Sequence, residues 1–166
     1  MTAIGGEDPG PGAINLNLSK TEVWNLLDSN FSSTLNPPGL NNHMGSAITA
    51  DLQLMNIIME YMSQNNKFFL DSKTTTNSVA HVAAQNQKVA FTERDVFLDH
   101  DRSSVAIWNS LLLGLETAKS NGSAILIGHC SVPELATALF KIYPEIKKNG
   151  FQIITLRDSL VGNMIE

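Results

Sequence analysis

Lys67-Phe68-Phe69-Leu70-Asp71-Ser72 and Ala124-Ile125-Leu126-Ile127-Gly128-His129 are each a short apolar run that stops on an ionisable residue. Runs of this length, rich in aromatic and β-branched residues, read as buried strands. Val96-Phe97-Leu98, stopping on Asp99, and Phe151-Gln152-Ile153-Ile154-Thr155-Leu156, followed by Asp158, repeat the pattern. Between these runs lie longer stretches with apolar residues at helical period: Ala50 to Asn65, Asn77 to Gln87, Ser103 to Ser120 and Val132 to Lys148. Strand alternating with helix is the signature of βα units around a parallel sheet, an α/β fold.

The residues that end the runs are evenly spaced. His43, Asp71, Asp99, His129 and Asp158 follow one another at intervals of 28, 28, 30 and 29 residues. Parallel sheets and barrels place their sites at the carboxyl ends of the strands, so this period predicts about five βα units presenting one polar rim. The stretch Lys88 to Asp99 admits a second placement, with its strand at Val89-Ala90-Phe91 and Arg94-Asp95 on the rim. Five such units fall short of an eight-stranded barrel of about 250 residues, yet five parallel strands can also form an open doubly wound sheet. Length alone does not choose.

Outward from the repeat, residues 1–18 are turn chemistry, with Gly5-Gly6 and Asp8-Pro9-Gly10-Pro11-Gly12, and read as a loop. Ser19-Lys20-Thr21-Glu22 is a capping-box pattern that opens a helix from about Ser19 to Ser32. Asn36-Pro37-Pro38-Gly39 cannot continue that helix, since proline lacks a donor and restricts the residue before it. Met55, Met59 and Met62 share one helix face and are expected in the core. The whole chain, 1–166, is expected to be a single domain.

Composition narrows the partners. Eleven Lys and Arg against sixteen Asp and Glu give a net charge of −5, which argues against a chain that grips nucleic acid mainly through phosphates. The one cysteine, Cys130, excludes an internal disulfide framework. It is expected to be a small buried thiol. No apolar run approaches the roughly 20 residues needed to span a bilayer, and no secretory signal is visible at the start.

Several polar residues suit chemistry. His43, in Asn41-Asn42-His43-Met44-Gly45-Ser46, suits metal ligation or proton transfer, or is satisfied by local backbone. Asp71 could orient a histidine, bind a metal, act as a base, or cap the helix that follows. Arg94-Asp95-Val96-Phe97-Leu98-Asp99-His100-Asp101 is the densest ionisable cluster: either a fixed arginine–carboxylate pairing or a solvated loop with surface ion pairs. His129, delivered by the most apolar strand, suits general acid or base work beside a carboxylate. No GxxxxGK[ST] or HExxH motif is present.

Taken together in order, Asp8-Pro9-Gly10-Pro11-Gly12, Gly39-Leu40-Asn41-Asn42-His43-Met44-Gly45-Ser46, Phe69-Leu70-Asp71-Ser72, Arg94-Asp95-Val96-Phe97-Leu98-Asp99 and Asn121-Gly122-Ser123-Ala124-Ile125-Leu126-Ile127-Gly128-His129 carry a resemblance. The chain resembles the divergent polysaccharide deacetylases, relatives of NodB-like carbohydrate esterases with a deformed (β/α) barrel. The Asn-Asn-His-Met-Gly-Ser block is its most specific part. The family's first strand, ending in an Asp-Asp pair, has no counterpart in this sequence. The resemblance therefore implies about five βα units of such a barrel, lacking the first strands. Where the family has Pro after Gly-His, this chain has Cys130.

The resemblance implies metal-assisted hydrolysis of the amide of an acetylated glycan or peptidoglycan. A divalent ion, zinc in most of the family, would polarise the carbonyl and supply the attacking water. It implies His43 as a metal ligand and His129 as the general acid, with Asp71 a rim carboxylate and Arg94 with Asp95 or Asp99 tuning the base. It also implies an exported or periplasmic protein. Because the family's base and metal-binding Asp are missing, the chain is expected to be catalytically incomplete. The competing readings are a non-catalytic glycan-binding module and a truncated remnant.

Overall fold

A computed structural model describes residue 1 and residues 10–162 of the chain. Gly5-Gly6 and Asp8-Pro9 of the expected N-terminal loop lie outside the described residues. The chain forms two compact units, residues 1–93 with 156–166, and residues 94–155.

In the first unit, α1 (Lys20–Ser33) starts at the expected capping box. The Ser19 hydroxyl accepts from the Glu22 N–H while the Glu22 carboxylate accepts from the Ser19 N–H at 2.8 Å. The Ser19 hydroxyl also donates to that carboxylate, at 2.6 Å, and this bond together with the one from the Ser19 N–H holds the Glu22 carboxyl below the usual carboxylate range. Val23, Leu27 and Phe31 line its buried face. Three short strands, β1 (Gly39–Asn41), β2 (Phe68–Asp71) and β3 (Phe91–Glu93), pair in that order, all parallel. The chain returns between them through α2 (Ser46–Thr49), α3 (Leu52–Gln64) and α4 (Ala80–Gln87).

The core lies between the sheet and α1, α3 and α4. Met55, Met59 and Met62 are fully buried, as the methionine stripe predicts, and join Ile58 and Phe69. Ala80, Ala83 and Ala84 give α4 a small-residue face, which lets it lie close to α3. Trp24 and Tyr61 bury ring area but keep their polar tips satisfied. The Trp24 indole donates to the Ile57 carbonyl at 3.2 Å, and the Tyr61 hydroxyl donates to the Asp28 carboxylate at 2.6 Å.

Burial, helped by the Asp28 carboxylate, pushes the Tyr61 phenol up to about 12. A phenol raised in the folded state favours its neutral form there. Tyr61 therefore contributes stability that is complete below the ordinary phenol range near pH 10 and is lost as pH rises through about 12. In a Tyr143→Phe variant, where Tyr61 is the remaining tyrosine, absorbance at 295 nm should rise with a midpoint near 12. A midpoint near 10 would contradict the buried hydrogen bond.

In the second unit, β4 (Val96–Phe97) and β5 (Leu126–Ile127) form a parallel pair, with Val96 opposite Leu126 and Phe97 opposite Ile127. Two long helices, α5 (Ser104–Asn121) and α6 (Pro133–Lys148), cover it. Val96, Leu98, Ile107, Leu111, Leu135 and Ile142 make a separate apolar cluster. Gly114 sits mid-helix for a spatial reason: a Cβ there would fall 2.3 Å from a Leu126 methyl. Helix and strand meet only because that Cβ is absent.

Of the two placements weighed for Lys88 to Asp99, Val96-Phe97-Leu98 holds β4, while Val89-Ala90-Phe91 meets a strand only at Phe91, where β3 begins and runs on to Glu93. The run Phe151 to Leu156 departs from expectation. Residues 151–155 form no strand, and α7 (Leu156–Gly162) follows at once, so Asp158 lies on a helix rather than past a strand end. Strand propensity needs a neighbouring ladder to realise it, and this segment has none among the described residues. Ile153 and Ile154 stay exposed, as does Phe140 on α6.

Candidate functional site

Four of the five spaced residues lie just past strand ends, as the period predicts: His43 after β1, Asp71 on the last position of β2, Asp99 after β4 and His129 after β5. The parallel register is the cause. It brings residues about thirty apart in sequence side by side at the same end of a ladder.

Asp99 and His129 show this most directly. The ladder continues one step past β4, where the Leu98 N–H donates to the Ile127 carbonyl at 2.8 Å, and so fixes the two following residues against each other. Asp99 Oδ2 accepts from the His129 backbone N–H at 3.0 Å and meets the ring Nδ1 at 2.9 Å. An ionised carboxylate only accepts, so Nδ1 carries the proton, and the second ring nitrogen, Nε2, is the one that can give or take a proton in exchange. The Asp99 side chain is fully buried, while that of His129 is 35% exposed. The pair therefore has a dry end and a wet end.

Three neighbours complete this arrangement. Gly128 leaves room for it, since a Cβ there would stand 2.6 Å from a Leu135 methyl and 3.4 Å from Asp99 Oδ1. Phe97 presents its ring to the imidazole in a T-shaped contact at 5.5 Å, and the Arg94 guanidinium lies over the Phe97 ring at 5.2 Å. Asp99 Oδ1 is buried with no hydrogen-bond partner among the described residues. Buried acceptors are nearly always paired, so an unpartnered carboxylate oxygen marks a position kept at a cost in stability.

Asp95 has a different task. Its Oδ2 accepts from the Ile125 N–H at 2.7 Å while its own N–H donates to the Ile125 carbonyl at 2.9 Å, which starts the β4–β5 ladder. Cys130 was expected to be a buried thiol and is exposed. The chain turns immediately after His129, and Val132 takes the buried place instead.

In the first unit, Asp71 is buried and both its oxygens accept hydrogen bonds: Oδ1 from the Lys73 N–H at 2.8 Å, Oδ2 from the Ser78 hydroxyl at 2.6 Å. It shapes the loop before α4 rather than capping that helix, whose cap residue, Val79, makes no side-chain cap bond. Asn42 is equally buried. Its side-chain oxygen accepts from the Ser72 N–H at 2.7 Å, and its backbone carbonyl accepts from the Ser72 hydroxyl, which ties the His43 loop to the end of β2. His43 itself is exposed. Asn42, Ser72 and Ser78 were missed as site-building residues in the sequence, although Asn42 sits in the most specific block of the resemblance.

The donor set for a metal does not assemble. Among the described residues no three His, Cys, Asp or Glu side chains come together in a group able to hold an ion. Both Asp71 oxygens are already engaged.

Comparison with known proteins gives this site its context. A family model described as divergent polysaccharide deacetylase matches residues 1–160. An uncharacterized protein of Haemophilus influenzae is 36% identical over 118 residues, covering 71% of this chain and 42% of that protein. The uncharacterized protein YibQ of Escherichia coli is 33% identical over 132 residues, covering 78% of this chain and 41% of YibQ. The chain thus spans about two fifths of the length of these relatives. A crystal structure of an uncharacterized protein from Agrobacterium tumefaciens superposes with a TM-score of 0.88 at 22% identity, over 93% of this chain and 63% of that one. That likeness shows a shared fold.

Proposed function

The chain belongs to the divergent polysaccharide deacetylase family, and on that premise we propose that it carries the proton-transfer pair of a site that hydrolyses the acetamide of an N-acetylated glycan. The observation that carries the reading is the 2.9 Å contact of His129 Nδ1 with the buried Asp99 carboxylate. In this scheme water adds to the acetamide carbonyl, and His129 in its imidazolium form donates its Nε2 proton to the amine nitrogen as the C–N bond of that adduct breaks, which releases acetate and returns the ring to its Nδ1–H form. Asp99 holds the ring in orientation and balances the charge of the imidazolium. Arg94 keeps Phe97 against the ring, and Asp95 holds the ladder that delivers Asp99.

The resemblance would make His43 a zinc ligand. The described residues supply no complete donor set for it, and no step of the proposed chemistry runs through a metal. Of the acid, base and metal functions that the resemblance implies, the acid is the one supported by a contact among the described residues, that of His129 with Asp99. We therefore take the 166-residue chain to be catalytically incomplete by itself. Membership in a deformed (β/α) barrel belongs to the same proposal. Its support is the parallel pairing of every described strand and the apolar side chains left exposed on the second unit, Val105, Phe140 and Ile153 among them. Residence outside the cytoplasm rests on the resemblance alone. No helix among the described residues is long and apolar enough to cross a membrane.

A non-catalytic glycan-binding role is the second reading, supported by the same half-exposed rim histidine. One experiment addresses both. The purified chain, with and without added zinc, is incubated with chitin oligomers, and acetate release and oligomer retention are measured. Retention without acetate above a protein-free control is expected. Turnover would overturn the claim of incompleteness, and absence of retention would overturn the glycan assignment.

A further inference from the structure

At the opposite end of the first unit's sheet from His43 and Asp71, a cleft of about 250 Å³ opens where the strands begin. Its floor is apolar, from Met62, Phe68, Val89 and Leu160, and its rim carries Lys67, Lys88 and Arg157. Among the described residues no acidic side chain lines it. On a chain of net charge −5, three cations around one apolar hollow are a local reversal of sign.

Local structure accounts for part of this. Lys67 and Lys88 follow the C-terminal ends of α3 and α4, where a cation offsets the negative end of the helix dipole. Lys67 is already used: its ammonium donates to Asn36 Oδ1 at 2.6 Å and to the Pro37 carbonyl at 2.8 Å. Arg157 is not explained in this way. It arrives on α7, from the far end of the chain, and adds a planar fork of donors suited to a carboxylate or phosphate. None of the ion pairs among the described residues, Lys20–Glu60, Lys73–Glu93 and His129–Asp99, involves Lys67, Lys88 or Arg157. Lys88 is moreover held in place by its backbone, at φ +55 in the left-handed region.

We propose that this cleft is a binding site for a small anion carrying an apolar group, with Lys88 and Arg157 holding the anionic head and the Met62–Phe68–Leu160 floor taking the apolar part. Its volume is just below the usual range for ligand pockets, about 300–1,000 Å³, which limits the ligand to a fragment-sized molecule. The cleft is built from the first unit and the Asp99–His129 pair from the second, and its test is independent of any deacetylase activity.

The test is a ¹H–¹⁵N NMR titration of the full chain with phenyl phosphate, benzyl alcohol and inorganic phosphate. Phenyl phosphate is expected to shift the amides of Lys67, Lys88, Val89 and Arg157 most. A Lys88→Ala/Arg157→Ala variant should bind it at least about tenfold more weakly, because charge-assisted bonds are lost, and benzyl alcohol should be weaker by a similar factor. Both side chains are exposed, so the variant should keep its fold, which its NMR spectrum reports directly. A Lys73→Ala variant, away from the cleft, should bind as the parent does. Shifts that map elsewhere or are absent, or unchanged affinity in the double variant, would overturn the site. Inorganic phosphate binding as tightly as phenyl phosphate would overturn the role of the apolar floor.

Discussion

Phe69→Ala should lower the stability of the first unit by about 3–5 kcal/mol, the usual cost of deleting a fully buried aromatic side chain. Phe69 has no exposed surface, lies on the central strand of the three, and stacks on Phe91 with ring centroids 6.4 Å apart and planes 4° from parallel. Truncation removes the transfer energy of a ring and leaves a cavity beneath α3, whose buried methionines are flexible enough to fill only part of it. The chain has one tryptophan in each unit, Trp24 and Trp108. Urea unfolding followed by Trp24 emission in a Trp108→Phe background should show the whole loss. A change below about 1 kcal/mol would contradict the assigned core.

Asp99→Asn should have little effect on stability and a large one on His129. The substitution keeps the shape and puts a neutral amide group in place of a buried carboxylate whose Oδ1 has no partner among the described residues. Weaker bonding to His129 and the smaller cost of burying a neutral group act in opposite directions, so the net change should stay within about 1 kcal/mol. The imidazole, by contrast, loses the charged, acceptor-only partner that selects its Nδ1–H form, because an amide can present either its oxygen or its NH2 to Nδ1. A hydrogen bond to a charged group contributes about 1.5–3 kcal/mol, which corresponds to a preference of roughly 10- to 100-fold between tautomers. Small stability change with large loss of orientation separates a positioning residue from a structural one. A destabilisation above about 3 kcal/mol would mean that Asp99 mainly holds the fold together.

The elements that local chemistry specifies were legible in the sequence. The Ser19–Glu22 box and the methionine stripe each depend on residues within a turn or two, so their pattern carries the structure. The even spacing of polar residues at strand ends was legible for a related reason. Each βα unit has nearly constant length, and parallel register converts that constancy into spatial adjacency.

What the sequence did not show depends on partners far along the chain. Residues 151–155 have strand composition but no ladder to join, and so remain unpaired. Asp71 reads as a catalytic carboxylate until Ser78 and the Lys73 N–H are seen to engage both its oxygens. Cys130 has the composition of a core residue, but the turn after β5 faces it outward. Arg94 and Asp95 look like one ionic cluster in the sequence. In the structure one lies over the Phe97 ring and the other bonds the Ile125 N–H.

The central claim, that Asp99 prepares His129 to transfer a proton at Nε2, is tested most directly by ¹⁵N chemical shifts of the His129 ring in the parent chain and in Asp99→Asn, both above the pH at which the imidazole is protonated. The account predicts that the neutral parent is almost entirely the Nδ1–H tautomer and that the variant is a mixture. A parent that is mainly Nε2–H, or a variant indistinguishable from it, would contradict the account.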